Sequence, residues 1–496
     1  MTIAEDARAV DAVGDGPARP ASDSPLEGRP ARALIPTLLV AAFVVILNET
    51  TLNVALTRIM DDLGITERLA QWLTTAFMLT MAVVIPATGW LLERLGTRRA
   101  YLAGLGVFSL GTLVCLLSPT IEVLLAGRVL QASGTAVMMP LLMTTLMQVV
   151  PADRRGAVMG NVSMVISVAP AVGPTLSGLL LQFGSWRLIF AVVLPIALLM
   201  LALGAWKLVD VSEPSGNRLD AWSLPLSLVG FGGLVYGLSL VGDAAAPVFE
   251  APLALGVGVF ALGAFVARQL VLQRRDAALL DLRMFAIPTF SVALVLMALA
   301  MMGLFGTIIT LPLLLQRAYG MAPLTVGLLM LPGGVLMGLL GPVVGRLYDR
   351  FGPRVLLVPA LAVVAGVFAL FSTLTPNTPP WFILACHLAM SASFAFIFTS
   401  LFTTALGALP PRLYSYGSAG VGTVQQVAGA AGTALFVTVF AAQTAAAQAA
   451  GASGQAALLA GARWGFLGAG AVMTAAAIVA LFLRRPDGDA APPVGH

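Results

Sequence analysis

The sequence predicts an all-α polytopic membrane protein with fourteen spanning helices. Three observations carry that prediction: the composition, the length of the apolar runs and the side on which the basic residues fall. Of 496 residues, 59% are hydrophobic and only 10% are charged, whereas soluble domains hold about 25% charged residues. The mean hydropathy is +0.95. So few charges cannot cover so much apolar surface in water. Soluble multidomain enzymes, disordered chains, disulfide scaffolds and extracellular domains on a single anchor are thereby excluded. The apolar runs are continuous, not short alternating segments, which excludes a membrane β-barrel.

Residues 1–33 are polar and lack the short apolar core and small-residue cleavage site of a signal peptide. They are expected to form a disordered cytoplasmic tail. Six apolar runs follow, at about 34–56, 69–91, 99–118, 121–149, 156–182 and 187–208, each long enough to cross a bilayer with ~20 residues. They define an expected N-terminal six-helix bundle over 34–209. Two runs without any motif, about 222–242 and 251–273, sit in a central segment 210–285. Six more, at about 287–314, 323–345, 354–374, 381–408, 415–443 and 463–483, define a C-terminal bundle over 286–485. A second cytoplasmic tail is expected over 486–496. The Ala-rich stretch 441–461 blurs the last outer loop.

Cytoplasmic loops of membrane proteins carry an excess of Lys and Arg. With the N-terminus placed inside, 21 of the 27 basic residues fall on inner segments. Five fall outside (Arg58, Arg68, Arg187, Arg317 and Arg463), and Arg128 lies within a span. The asymmetry predicts cytoplasmic termini at both ends and an even number of spans in the cell membrane.

The chain repeats itself. Gly89, Glu93, Arg94, Gly96 and Arg98, followed by Arg99, come after the second run; Gly345, Asp349, Arg350, Gly352 and Arg354 come after the tenth, 256 residues later. Both read G-x-x-x-acid-R-x-G-x-R. Duplicated helical bundles of this kind build many secondary transporters. A glycine lets two helices approach closely, and the acid can meet a helix end or basic groups across the turn.

Charges inside spans are few. Glu49 lies in the first run beside Asn48, with Asn53 one turn on. An acid deep in an apolar helix costs roughly 2.5–3.5 kcal/mol on insertion scales, which makes it a functional candidate. Desolvation favours its neutral form, so such a group can take up and release a proton. A structural role in a buried hydrogen-bond network is the alternative. Arg128, with Gln131 on the same helix, is the second candidate; a buried arginine needs partners, and would stabilise a nearby carboxylate. The alternative for Arg128 is snorkelling to the outer interface, since it lies early in its run. The fifth run holds Pro170, Gly173, Pro174 and Gly178. Prolines at i and i+4 bend a helix, and small residues open a close-packing face.

These motifs resemble those of the major facilitator superfamily, and within it the fourteen-helix drug:proton antiporters. The repeated loop resembles the superfamily's signature loop, with Glu93 where Asp is more frequent; in the family it is thought to act as a cytoplasmic latch. The stretch from Leu47 to Leu56 resembles the antiporters' first-helix motif, but the usual Asp position is Asn48 and the acid stands at Glu49. The lincomycin-resistance branch shows this Asn-Glu arrangement. The segment around Arg128 and Gln131 is similar to the fourth-helix motif. The segment around Pro170–Gly178 resembles the antiporter motif that marks exporters. The resemblance implies two six-helix bundles plus two extra helices, and proton coupling through Glu49, Arg128, Asn48, Asn53 and Gln131. It implies export of an amphipathic small molecule by alternating access. A dedicated exporter of one metabolite, such as a self-made antibiotic or siderophore, is the alternative.

Trp72, Gln316, Gln425 and Gln426 are further candidates for a polar cavity, although the paired glutamines suit helix bridging equally well. Met138, Met139, Met143, Met147, Met301, Met302 and Phe305 suit either an adaptable pocket or a core. His387 is read as a buried histidine making one hydrogen bond, with a proton role as the alternative. Cys115 and Cys386 are small buried hydrophobes, and the two histidines lie far apart, so no metal site is expected. Clustered catalytic residues and a nucleotide-binding loop are absent from the sequence. Neither an enzyme nor ATP-driven transport is expected, and no cofactor. The arginines are scattered, which gives no nucleic-acid surface. The expected partners are protons, the amphipathic substrate and the lipid bilayer, with the chain acting as a monomer.

Overall fold

A computed structural model describes residues 29–211, 220–241, 247, 249–275 and 277–483. The two expected tails fall almost wholly outside these residues. Among the described residues, regular structure is entirely helical. The helices are α1 (Arg29–Leu63), α2 (Glu67–Leu117), α3 (Ile121–Val149), α4 (Arg155–Phe183), α5 (Arg187–Lys207), α6 (Ser223–Leu240), α7 (Glu250–Leu272), α8 (Pro288–Arg317), α9 (Pro323–Phe351), α10 (Pro353–Phe371), α11 (Pro380–Gly407), α12 (Tyr414–Ala449) and α13 (Gly454–Ala480).

Among the described residues, twelve helices are long and apolar enough to cross a membrane. A thirteenth is α4 with the short turn before it, bent by 42° between the stretches Ala152–Pro170 and Thr175–Phe183. The expectation of fourteen then rests on α2. Its 51 residues would reach about 75 Å at 1.5 Å per residue, far more than one bilayer core. The helix is interrupted at Gly96, whose φ of 74° and ψ of 172° are not helical. Gly352, its counterpart in the repeat, has φ 77° and ψ 179° and separates α9 from α10. This backbone region is essentially restricted to glycine. The second glycine of the repeated loop is thus a turn-maker, and α2 contains two spans.

Local chemistry sets the helix starts. Proline occupies the first turn of α8, α9, α10 and α11, where its missing N–H costs nothing. Thr66 and Ser453 cap α2 and α13 by accepting from Leu69 N–H and Ala456 N–H. Several helices run past the spans read from hydropathy. α1 begins at Arg29, inside the expected tail, and ends at Leu63. α12 continues to Ala449 and α13 starts at Gly454, leaving a short turn at Gly451. Alanine is the best helix former, so the Ala-rich stretch stays helical beyond its apolar core.

In the first half, α1 packs on α3, α4 and α5, and α2 packs on α3 and α5. In the second half, α8 packs on α11, α12 and α13, and α10 on α11 and α13. The halves meet where α4 packs on α9 and α2 on α12. The motif-free helices α6 and α7 pair with each other, and α6 also touches α2 and α12, so the hairpin borders that seam. Glycines set its tightness: a Cβ on Gly233 would stand 2.9 Å from Gly258 Cα. α7 turns Leu253, Val259 and Phe260 outward, as a lipid-facing helix does. Met138, Met143, Met147 and Met301 are buried in the main apolar core, with Met139, Met302 and Phe305 against it.

The hairpin is anchored by a polar knot. Arg268 grips Asp220 with Nε and Nη2, each at 2.6 Å. Asp220 also accepts from the Ser223 hydroxyl, and Gln269 bonds Ser223 with its amide nitrogen while its oxygen accepts from Leu279 and Leu280 N–H. Hydrogen bonding from Arg268 lowers the Asp220 carboxyl to about 2, against a partial opposing effect of burial. A depressed carboxylate contributes stability above its unfolded value, and loses it as pH falls through the folded one. The anchor should therefore hold through pH 4 and fail only as pH approaches about 2; hydrogen exchange at Leu279 and Leu280 N–H across that window checks this. Gly96→Ala and Gly352→Ala should each cost about 1–3 kcal/mol, read as lowered thermal midpoints of the purified protein.

Candidate functional site

Three groups of residues named from the sequence are brought together by the fold. The first surrounds Arg128. It lies in α3, is only 1% exposed, and points into protein, which rules out snorkelling. Its Nε donates to Leu73 O at 3.4 Å and its Nη1 to Gln131 Oε1 at 3.0 Å. The guanidinium sits 4.1 Å from the centroid of the Phe77 ring, a desolvated cation–π contact. Gln131 in turn donates to the Thr112 hydroxyl at 2.9 Å. Three helical stretches (α3 and both halves of α2) thus hold one cation. Such a charge needs this number of partners, because its desolvation cost is otherwise unmet.

Glu49 in α1 is half-buried. It makes no hydrogen bond or ion pair with another described residue, yet it and Arg128 act on each other through space. The cation is fixed and the acid is not, the arrangement needed if the acid is to change its proton occupancy. Asn48 is 1% exposed, and neither atom of its side-chain amide has a partner among the described residues. The side chain of Asn53 lies outside the described residues.

The second group is the bend in α4. Gly173 lies against Thr50 of α1, so closely that a Cβ there would collide with the Thr50 hydroxyl oxygen. The antiporter-like segment therefore packs directly beside Glu49. Gly178 faces open space, so it is not the close-packing glycine its spacing predicts. The side chain of Pro174 lies outside the described residues.

The third group joins the two halves at the end carrying the repeated loops. Asp349 accepts from Gly156 N–H and Ala157 N–H of α4, both at 2.8 Å. A carboxylate at a helix N-terminus is favoured by the orphan donors and the helix dipole. Glu93 accepts from the Ser415 hydroxyl at 2.8 Å and the Tyr416 hydroxyl at 2.9 Å, at the start of α12. The acid of each repeat thus grips a helix of the other half. Asp349 reaches backbone because Gly156 and Gly345 are in contact: a Cβ on Gly156 would lie 2.5 Å from Gly345 O. At the other grip the Tyr416 ring lies on Gly89. The helices stand further apart there, and the longer Glu93 spans the gap to side-chain hydroxyls. Thr144 to Ser418 (3.2 Å) and Thr399 to Ser163 (2.8 Å) complete the closure.

The arginines of the loops have local tasks. Arg98 donates through its backbone N–H to Asp210 and through Nη2 to Ala205 O, tying the loop to the end of α5. Arg94 lies over Trp90, Arg350 over Phe351, and Arg99 is exposed. Arg354 is exposed at the start of α10. Trp72 stacks on Tyr236 of the α6–α7 hairpin at 5.9 Å, and Gln316 is exposed at the end of α8. Gln425 and Gln426 are half-buried in α12.

Sequence reasoning missed the partners. Ser415 and Tyr416 stand after a proline-led turn 259 residues beyond Gly156 and Ala157, a register in which the repeat could have revealed them. Phe77 carries no comparable signal. At the opposite end, Asp62 accepts from Arg187 Nη1 (2.7 Å) and Trp186 Nε1 (2.9 Å), while Arg187 Nη2 reaches Ser118 O. Those hydrogen bonds, Arg187's first, hold the Asp62 carboxyl below its usual range. In the sequence Arg187 stood out only as one of five outer basic residues, and Asp62 not at all.

The sequence from residue 38 to 433 matches the family described as Major Facilitator Superfamily. The chain belongs to that superfamily. Among its relatives, lincomycin resistance protein LmrB of Listeria monocytogenes is 36% identical over 409 residues, covering 82% of this chain and 86% of that protein. The uncharacterized MFS-type transporter YcnB of Bacillus subtilis is 38% identical over 412 residues, covering 83% and 87%. The crystal structure of the human organic anion transporter MFSD10 (TETRAN) matches with a TM-score of 0.65 at 15% identity, over 91% of this chain and all of that one. At that identity it speaks for the superfamily fold alone. This superfamily member is a multi-pass membrane protein of a transporter family.

Neutralising Asp349 should loosen the closure more than neutralising Glu93, because only Asp349 meets a helix dipole and two backbone donors. Asp349→Asn should cost about 0.5–2 kcal/mol of closure. Thiol labelling of a cysteine placed at Thr144 (T144C) should accordingly be faster with Asp349→Asn than with Glu93→Gln.

Proposed function

We propose that this protein exports amphipathic drugs across the cell membrane in exchange for protons, by alternating access, with both termini in the cytoplasm. The observation that carries the reading is Glu49: an acid within a span, without a hydrogen-bonding partner among the described residues, facing the fixed charge of Arg128 and packed beside the bend of α4. The names of relatives such as LmrB support drug export as the cargo class, and the positive-inside count supports the orientation.

In this reading Glu49 takes a proton from the outer side. It releases the proton to the cytoplasm as substrate binds. Arg128 stabilises the carboxylate, so the change of access, not a change of partner, decides where the proton goes. Each charge moved through 100 mV supplies about 2.3 kcal/mol, enough to support uphill export. The grips of Glu93 and Asp349 keep the cytoplasmic end shut while the outer side exchanges, and part when the halves rock. Asn48, Asn53 and Gln131 shape the polar surroundings of the acid, and Gln425 and Gln426 offer amides to a cavity from the second half. No metal or cofactor enters this scheme.

The test is export from proteoliposomes carrying an imposed proton gradient, with lincomycin and a cationic dye as cargo. Glu49→Gln should abolish uncoupler-sensitive export while leaving the protein folded. Arg128→Lys should impair it as well, because a point charge cannot replace a guanidinium held by Leu73, Gln131 and the Phe77 face. Full gradient-driven export by Glu49→Gln would remove Glu49 from the mechanism.

A further inference from the structure

The internal repeat places one more titratable group in the core. α3 begins at Ile121 and α11 at Pro380, and both follow the same turn of the repeat. Arg128 is seven residues into α3; His387 is seven residues into α11. The correspondence extends to their contacts. Arg128 donates to Leu73 O of α2 and rests on Phe77. His387 Nε2 lies 3.2 Å from Met330 O of α9, with Gly333 against its ring. Met330 and Gly333 follow Leu73 and Phe77 by 257 and 256 residues, within one residue of the 256 that separates the loop motifs. The second half therefore holds an imidazole where the first holds a guanidinium, against the matching helix.

The hydrogen bond fixes the tautomer. A carbonyl only accepts, so Nε2 carries the hydrogen. In the neutral ring Nδ1 is then a bare lone pair, and this atom is buried with no partner among the described residues. A proton on Nδ1 would here have no acceptor. Surrounding charge does not help it. The helices packed on α11 are α4, α8, α9, α10 and α12. Their ionisable groups are Arg155 on α4, Arg317 on α8, Arg346, Tyr348, Asp349 and Arg350 on α9, Arg354 on α10, and Tyr414 and Tyr416 on α12. None of them, nor the adjacent Cys386, acts electrostatically on the ring.

We propose that His387 is a second proton site, in the C-terminal half: neutral and Nε2-protonated while the repeated-loop end is closed, and protonated at Nδ1 once rocking admits water to α11. A group that binds a proton in only one conformation pulls the equilibrium toward it. The first half thus carries a permanent cation and the second a conditional one. The inference rests on the proton-coupled reading for its purpose, but not for its test.

The chain has two histidines, so replacing His496 (H496Q) leaves a single imidazole to observe by nitrogen NMR of histidine-labelled protein. With the end closed, the ring should remain the neutral Nε2–H tautomer from about pH 5 to 8, the window in which an ordinary histidine titrates. With Glu93→Gln and Asp349→Asn combined, and opening verified by labelling T144C, it should titrate within that window. An Nδ1–H tautomer in the closed protein, or the same titration in both, overturns the proposal. In proteoliposomes, His387→Gln should flatten the dependence of export on the pH of the compartment facing the repeated loops, whereas Glu49→Gln should remove driven export at every pH. An unchanged pH profile in His387→Gln also overturns it. Driven export retained in Glu49→Gln would instead overturn the Glu49 reading, and leaves the NMR result to decide His387.

Discussion

Two carboxylates, one from each half, hold the start of a helix in the other half, and the closed arrangement depends on that reciprocal grip. Neither acid could reach its partner if the helices did not approach so closely. In a bilayer no hydrophobic force draws one apolar helix to another, and the approach comes from small residues and satisfied polar groups. Gly156, Gly160, Gly341 and Gly345 supply the first along α4 and α9; Asp349 supplies the second. The α2–α12 side is built on the same plan with a different chemistry, because Ser415 and Tyr416 offer hydroxyls where α4 offers backbone N–H groups. The two sides are topologically equivalent but chemically unequal, so they need not part together.

The interior shows the same inequality. Arg128 is surrounded by a carbonyl, an amide and an aromatic face, which is how a permanent cation is tolerated out of water. Glu49 has no such set, and His387 has half of one. Groups with incomplete partners are those whose protonation can follow a change in water access. The bend of α4, pressed against Thr50 through Gly173, connects the closing helix to the acid-bearing one. The α6–α7 hairpin stands outside this chain of contacts. It borders the α2–α12 seam and is tied by Asp220, Arg268 and Gln269 to the segment leading into the second half.

Most of the architecture was legible before any coordinates. Hydropathy located most spans to within a few residues, because a helix crossing lipid must be apolar over its whole length and can satisfy its backbone only internally. The last helix, however, starts at Gly454, nine residues before its apolar run. The repeat exposed the duplication, and it contained Gly96 and Gly352 without showing that they make the turns. Helix ends beyond the apolar zone were not legible, since there helix propensity decides and hydropathy is silent. The site was legible as a set of unusual residues: Glu49 and Arg128 stand out because charges are costly in spans. Their relation was not.

The sequence by itself determined the spans, the duplication, the positions of the buried charges and the family resemblance. Each is recorded in local composition or in spacing along the chain. Only the tertiary structure decided that Arg128 is caged by Leu73, Gln131 and Phe77, that Glu93 meets Ser415 and Tyr416 across 322 residues, and that Gly173 rather than Gly178 presses on α1. Those facts depend on the rotation and distance of helices far apart in sequence. A one-residue step turns a side chain about 100° around its helix, and nothing local fixes which neighbour it then meets.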